Sequence, residues 1–217
     1  MLEAKNLFKK YGSIEVLKDI SLKIDHSEVV SIVGASGAGK STLLHILGTL
    51  DQADSGQVFL DNTELGSLNS RQLSDFRNQK IGFIFQFHNL MAELTAFENI
   101  CLPAWVGKRN KDEVENIATE LMETLRIDHR KGHLPSEMSG GEQQRVAVAR
   151  ALINRPEYVF ADEPSGNLDS KNAEELHSLF FDLRNKFKSS FVIVTHNQHL
   201  AEQSDRKIEL VDGFLKN

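Results

Sequence analysis

A single cysteine, Cys101, stands in a chain of 217 residues. Without a second thiol no disulfide can form inside the chain, which fits a reducing compartment and leaves stability to the core. Cys101 itself reads as a small buried apolar residue. His129 and His133 have a spacing that zinc sites use, but the one cysteine is distant and there is no second ligand pair, so they read as loop residues. No run approaches the roughly 18 to 20 apolar residues that a membrane span needs. Met1-Leu2-Glu3 opens straight into an alternating pattern without a signal-peptide core. The chain alone is therefore expected to be soluble and cytoplasmic. A long basic block is missing too: 31 acidic against 25 basic residues leave a formal charge of −6, which argues against nucleic acid as the main partner.

What is present is a globular composition, 40% apolar and 26% charged, long enough to bury one core with a lobe inserted in it. The chain is organised around residues 34–42, GASGAGKST. The run Val29, Val30, Ile32, Val33 precedes them and the helical pattern Leu43, Leu44, Ile46, Leu47 follows, so strand, glycine-rich loop and helix come in that order. Gly34, Gly39, Lys40 and Ser41 fit G-x-x-x-x-G-K-[ST], in which small residues, here including Ser36 and Gly37, let backbone N–H groups close around an anion at a helix N-terminus. Lys40 would reach the β- and γ-phosphates, and the Ser41 hydroxyl would ligate a Mg²⁺ bridging them; Thr42 completes the set. Chance alone produces the four-residue pattern in roughly one chain in a hundred of this length, and the flanking strand and helix lower that further. The loop is built to hold a nucleoside triphosphate.

Residues 2–8 and 17–24 alternate around the Tyr11-Gly12 turn and predict antiparallel strands beside the nucleotide fold. Tyr11 is either an ordinary strand-end aromatic or a ring for stacking on a base. Val58-Phe59-Leu60 reads as a short strand, residues 70–79 as a helix, and residues 81–87 (IGFIFQF) as a strand broken by Gln86, which either caps that strand or orients a water or Mg²⁺. From about 88 to 155 the pattern turns helical: Thr95 to Trp105, then Asp112 to Leu125 with Val114, Ile117, Leu121 and Leu125 on one face. Within this lobe PSEMSGGE (135–142) precedes a helix from Gln143 to Ile153, and its free N–H groups make a second candidate anion loop, although SGG before a helix is also simple capping. Tyr158 to Ala161 predicts a buried strand ending in Asp162-Glu163, two carboxylates at the ligand edge of a parallel sheet: Asp162 would face Mg²⁺ and Glu163 would polarise an attacking water. A helix over about 170–187, a strand Phe191 to Thr195 ending at His196, and a closing hairpin around Asp212-Gly213 finish the chain.

GASGAGKST, Gln86, MSGGE, YVFADE, NLD (167–169) and His196, in that order, resemble the ATP-binding subunits of ABC transporters over the whole chain. The resemblance implies an α/β fold: a P-loop NTPase (RecA-like) core with an N-terminal antiparallel β subdomain (1–87 and 156–217) and an inserted α-helical subdomain (88–155). It implies ATP and Mg²⁺ as ligands and a head-to-tail dimer with a second copy, in which Ser139, Gly140 and Gly141 of one subunit meet ATP held by Lys40 of the other. By the same resemblance Glu163 is the general base, His196 holds the γ-phosphate, Gln86 joins Mg²⁺ and water to a membrane partner, Asp169 links the two sites and Tyr11 stacks on adenine.

Within the family, residues 83–100, 128–152 and 162–169 look most like the ATPase of lipoprotein-releasing systems. That implies a peripheral protein on the cytoplasmic side of the inner membrane, with two integral membrane subunits docked on residues 87–97 and a lipoprotein cargo handled by them. Relatives serving macrolide efflux or cell division share most of these motifs. Met138 and Glu142 depart from the usual Leu and Gln of the signature; the first is a mild apolar swap, while the second adds a carboxylate near a triphosphate. A soluble P-loop kinase would need an acceptor pocket and lid in place of the SGG loop, and a non-transport ABC ATPase would usually carry two cassettes or a long arm.

Overall fold

A computed structural model describes residues 1–216. The chain folds as β1 (Leu2–Tyr11), β2 (Ile14–Ile24), β3 (Val29–Val33), α1 (Lys40–Leu47), β4 (Ser55–Leu60), β5 (Thr63–Glu64), α2 (Ser70–Lys80), β6 (Ile81–Ile84), α3 (Ala96–Val106), α4 (Lys111–Thr124), α5 (Gly140–Leu152), β7 (Tyr158–Asp162), α6 (Ser170–Phe187), β8 (Ser190–Val194), α7 (Gln198–Gln203), β9 (Arg206–Val211) and β10 (Phe214–Lys216). Six strands form one sheet in the order β10-β9-β3-β8-β7-β6. All neighbours pair parallel except the closing hairpin of β9 and β10.

The central strands are apolar on both faces because both are covered, which is why they read as continuous hydrophobic runs rather than alternating ones. One face, Val29, Val159, Ala161, Phe191 and Ile193, packs into a core shared with α3, α4, α5 and α6. The other, Val30, Ile32, Phe160, Val192 and Val194, packs with α1 and with the buried side chains of the second sheet. That sheet is antiparallel, in the order β2-β1-β4-β5. Leu2, Ala4, Leu7, Leu17, Ile20 and Ile24 give it an inward face, as the alternation predicts. The one fully buried phenol, on Tyr158, donates to the Ile24 carbonyl at 3.0 Å and so ties the two sheets together without an unpaired hydroxyl.

Helices α3, α4 and α5 pack on one another, and α5 lies against β6. Thr95 starts α3 with a capping box to Glu98, and Asn110 caps α4. Asn99, fully buried, pins the preceding loop: its amide donates to the carbonyls of Met91 (3.1 Å), Leu94 (2.9 Å) and Thr95 (3.0 Å) and accepts from Met91 N at 2.8 Å. Cys101 is buried as expected, and that burial pushes its thiol up to about 12. Among the described residues no helix is long and apolar enough to cross a membrane.

Two local expectations are corrected. The strand through residues 81–87 stops at Ile84, so Gln86 lies in the loop beyond it and does not end the strand. Helix α5 begins at Gly140 rather than Gln143, because Ser139 is its cap and both glycines sit in its first turn. The helix Gln198–Gln203, capped by Asn197, is too short for helical periodicity to show.

Gly82 fixes how closely α5 approaches the sheet, since a Cβ there would lie 2.4 Å from the Ala151 backbone oxygen. Gly82→Ala is expected to destabilise the protein by about 1 to 3 kcal/mol, the usual cost of overpacking, read as a lower denaturant midpoint at unchanged slope. An unmoved midpoint would contradict this packing.

Candidate functional site

The loop between β3 and α1 is clamped from both sheets. A Cβ on Gly34 would fall 2.2 Å from the Leu210 carbonyl of β9, and one on Gly39 2.8 Å from the Val16 carbonyl of β2. Gly39 also has φ +101°, a left-handed conformation that side chains resist. Ala35, Ser36 and Gly37 form the exposed crest. Every other α-helix carries a side-chain cap at its N-terminus, but α1 has none, and its first turn holds no acidic residue. Its leading N–H groups and the positive end of its dipole therefore remain available to an anion. Lys40 is only 7% exposed, and its ammonium donates to the carbonyls of Gly34 (3.0 Å) and Ala35 (2.9 Å), which aims the charge back along the loop.

Facing this loop is the end of β7. Ser41 Oγ donates to Asp162 Oδ1 at 3.0 Å, so the two oxygens expected at a Mg²⁺ come together. His45, one turn along α1, places Nε2 3.7 Å from Asp162 Oδ2. The sequence reading passed over this histidine; its i+4 spacing from Ser41 was the available signal. Hydroxyl and carboxylate oxygens are the hard donors that Mg²⁺ takes, and the pair lies beside the loop that would hold phosphates, so the residues fit that ion.

Glu163 follows with φ +46°, held by its N–H donating to the Val194 carbonyl at 3.0 Å. Its carboxylate accepts from His196 N at 3.3 Å, while Oε1 lies 3.1 Å from His196 Nε2 outside hydrogen-bond alignment, an enclosed oxygen with an unused lone pair. Burial raises its pKa above the ordinary carboxylate range, against the opposing pull of His196 and Lys40. A partly desolvated carboxylate with a free acceptor oxygen suits a general base.

Gln86 lies against the loop that follows Glu163. A Cβ on Gly166 would meet Gln86 Nε2 at 3.0 Å, and Asn167 Nδ2 donates to the Gln86 carbonyl at 2.9 Å. His177, 98% removed from solvent by its 2% exposure, sets Nε2 2.9 Å from Ser165 Oγ in the same loop. Tyr11 is half exposed and its hydroxyl donates to Asp51 Oδ2 at 2.5 Å; Lys9 reaches Asp51 Oδ1 at 2.9 Å and lies 5.0 Å from the ring centroid. Thr42 of α1 neighbours the same hydroxyl, which puts the ring near the phosphate loop.

The second loop is separate. Ser139 caps α5, and a Cβ on Gly141 would meet Asn172 Oδ1 at 3.2 Å. Asn172 in turn donates its N–H to Asp169 Oδ1 (3.0 Å) and its amide to Asp169 Oδ2 (2.6 Å), so Ser139, Gly140, Gly141 and Asp169 share one surface. Among the described residues no hydrogen bond joins that surface to Lys40 or Ser41.

Comparison with known proteins identifies the family. The family model described as "ABC transporter" matches residues 17–166. Curated relatives include the lipoprotein-releasing system ATP-binding protein LolD of Cytophaga hutchinsonii, 61% identical over 99% of this chain and 98% of that protein. The protein of the same name from Bacteroides fragilis is 53% identical over 99% of this chain and 100% of that protein. Among solved structures, a dimeric post-hydrolysis state of the ATP-binding cassette MJ0796 bound to ADP and Pi superposes with a TM-score of 0.90 at 40% identity, covering 100% of this chain and 97% of that one. A second dimeric structure of MJ0796, a bacterial ABC transporter cassette, gives a TM-score of 0.91 at the same identity and coverage. The chain belongs to the ABC transporter family, as an ATP-binding and ATP-hydrolysing cassette.

Proposed function

We propose that this cassette is the ATPase subunit of a lipoprotein-releasing transporter and that it works as a pair with a second copy of itself. The observation that carries the ATPase half is the Glu163 carboxylate, held by His196 and desolvated beside Asp162, Ser41 and Lys40. Likeness to the LolD proteins over nearly the whole chain supports the lipoprotein half. Lys40 and the uncapped amides of α1 bind the phosphates, and Ser41 with Asp162 holds Mg²⁺, which when bound offsets the charge of the β- and γ-phosphates. Glu163 takes a proton from the attacking water, and His196 keeps the γ-phosphate in line. Tyr11 offers its ring to the adenine.

Ser139, Gly140 and Gly141 receive the γ-phosphate of the nucleotide on the other subunit. The dimeric form of the MJ0796 cassette supports that pairing. Asp169, on the same surface, links the two sites. Two integral membrane subunits dock on residues 87–97, where Phe87 is 69% and Met91 49% exposed on a loop pinned by Asn99. The protein then sits at the cytoplasmic side of the inner membrane.

Glu163→Gln is expected to keep ATP affinity, lower turnover by roughly 10² to 10⁴-fold and accumulate an ATP-bound dimer in size-exclusion chromatography. Hydrolysis at the parent rate would remove Glu163 from the base role. Lys40→Ala should weaken triphosphate binding by roughly ten- to a hundredfold, the worth of a charged hydrogen bond in an enclosed site; unchanged affinity by titration calorimetry would contradict its placement. Pull-down of the Glu163→Gln protein from its own membranes with ATP and Mg²⁺ is expected to bring membrane subunits and lipoprotein. Recovery of a drug-efflux or cell-division partner instead would overturn the cargo and keep the mechanism.

A further inference from the structure

Glu142 puts a negative charge in the first turn of α5, inside the loop assigned above to a phosphate. Its carboxylate makes four contacts. Oε2 accepts from Ser139 N at 2.8 Å and Ser139 Oγ at 2.9 Å, while Oε1 accepts from Arg130 Nε at 2.7 Å and lies 3.3 Å from His129 Nε2. The bonds to Ser139, with Glu142 N donating back to Ser139 Oγ at 3.3 Å, form a capping box. Glutamine closes the same box without a charge, so the cap alone gives no reason for a guanidinium. Arg130 serves the charge.

The side chains of this pair are only 30% and 19% exposed, so their attraction is less screened than at an open surface. Burial works against ionisation of Glu142, yet Arg130 and Ser139 hold its carboxyl down at about 2, so it stays anionic at neutral pH. It also competes for the Ser139 hydroxyl proton, which a phosphate oxygen would need. Arg130 comes from the short turn Asp128–Arg130, outside the loop, while Gly141 faces Asn172.

We infer that Arg130 is a positioning residue that neutralises Glu142, so that Ser139 and the leading amides of α5 accept the phosphate of the second subunit's nucleotide. The inference rests on the reading of the Ser139 loop given above. It predicts charge coupling: without Arg130 the Glu142 carboxylate repels the phosphate, and without Glu142 the guanidinium is dispensable.

The test is a double-mutant cycle on the full chain carrying Glu163→Gln, reading the ATP concentration at half-maximal dimer formation. Arg130→Ala is expected to raise that concentration roughly three- to tenfold, in line with a partly enclosed charge pair, and Arg130→Lys to raise it less. Adding Glu142→Gln to Arg130→Ala should return it to within about twofold of Glu142→Gln alone, a rescue that a merely structural arginine would not show. Equal losses from Arg130→Ala with Glu or Gln at 142, or no loss in either, would overturn the inference and leave the sandwich reading standing. Absence of any ATP-dependent dimer in the Glu163→Gln protein itself would overturn both.

Discussion

A protein of formal charge −6 that takes a triphosphate needs positive potential concentrated at one place, and the turn from β3 into α1, with its uncapped helix end and enclosed Lys40, offers it. Much of the architecture serves to keep the turn in shape. Gly34 is pressed against β9 and Gly39 against β2, so the antiparallel sheet and the closing hairpin grip the loop from opposite sides. The hairpin is itself locked to β2: Lys18 N donates to the Gly213 carbonyl at 2.8 Å, and a Cβ on Gly213 would lie 2.7 Å from the Val16 carbonyl. The second sheet is thus a clamp on the phosphate loop as well as a cover for one face of the core.

Carboxylates around such a loop oppose its task unless each has a donor of its own, and three near it do. Asp162 takes the Ser41 hydroxyl and faces His45, Glu163 takes the His196 amide, and Asp51 takes Lys9 and Tyr11. The overall charge is therefore a poor guide to what the surface attracts, because fixed dipoles and short-range partners set the local potential. Of these, Glu163 keeps an enclosed oxygen without a hydrogen-bond donor, and it is the one expected to take a proton.

The parallel core was legible because buried strands write continuous apolar runs, and the phosphate loop because its glycines and lysine have few substitutes. The hairpin of β1 and β2 was legible from its alternation. Spacing could not place Gln86, since a strand's end depends on which residues find partners, and β7 pairs β6 only through Ile84. Nor could it start α5, since two glycines read as loop until Ser139 and Glu142 close a box around them. Arg130 and Asn99 leave no trace in the spacing, because their partners lie outside their own element or on backbone atoms and no periodicity records those contacts, whereas the i+4 spacing of His45 from Ser41 does place the two on one helix face. Family resemblance carried what spacing could not, assigning roles to Tyr11 and Asp169.

The loop beyond β6 runs from the segment carrying Glu163 to an exposed apolar surface. Its backbone is anchored by Arg150, which donates to the carbonyls of His88 (2.8 Å) and Asn89 (2.6 Å), and by Asn167, which donates to that of Gln86. The Gly166 N–H bonds the Glu163 carbonyl at 3.0 Å, and Gly166 leaves room for the Gln86 side chain. Phe87, the next residue, faces solvent. The Asn167 and Gly166 bonds link the loop to the segment that carries Glu163. Phe87 and Met91 stay exposed on this loop, so a substitution at either would leave the bonds of Lys40, Ser41 and Asp162 untouched.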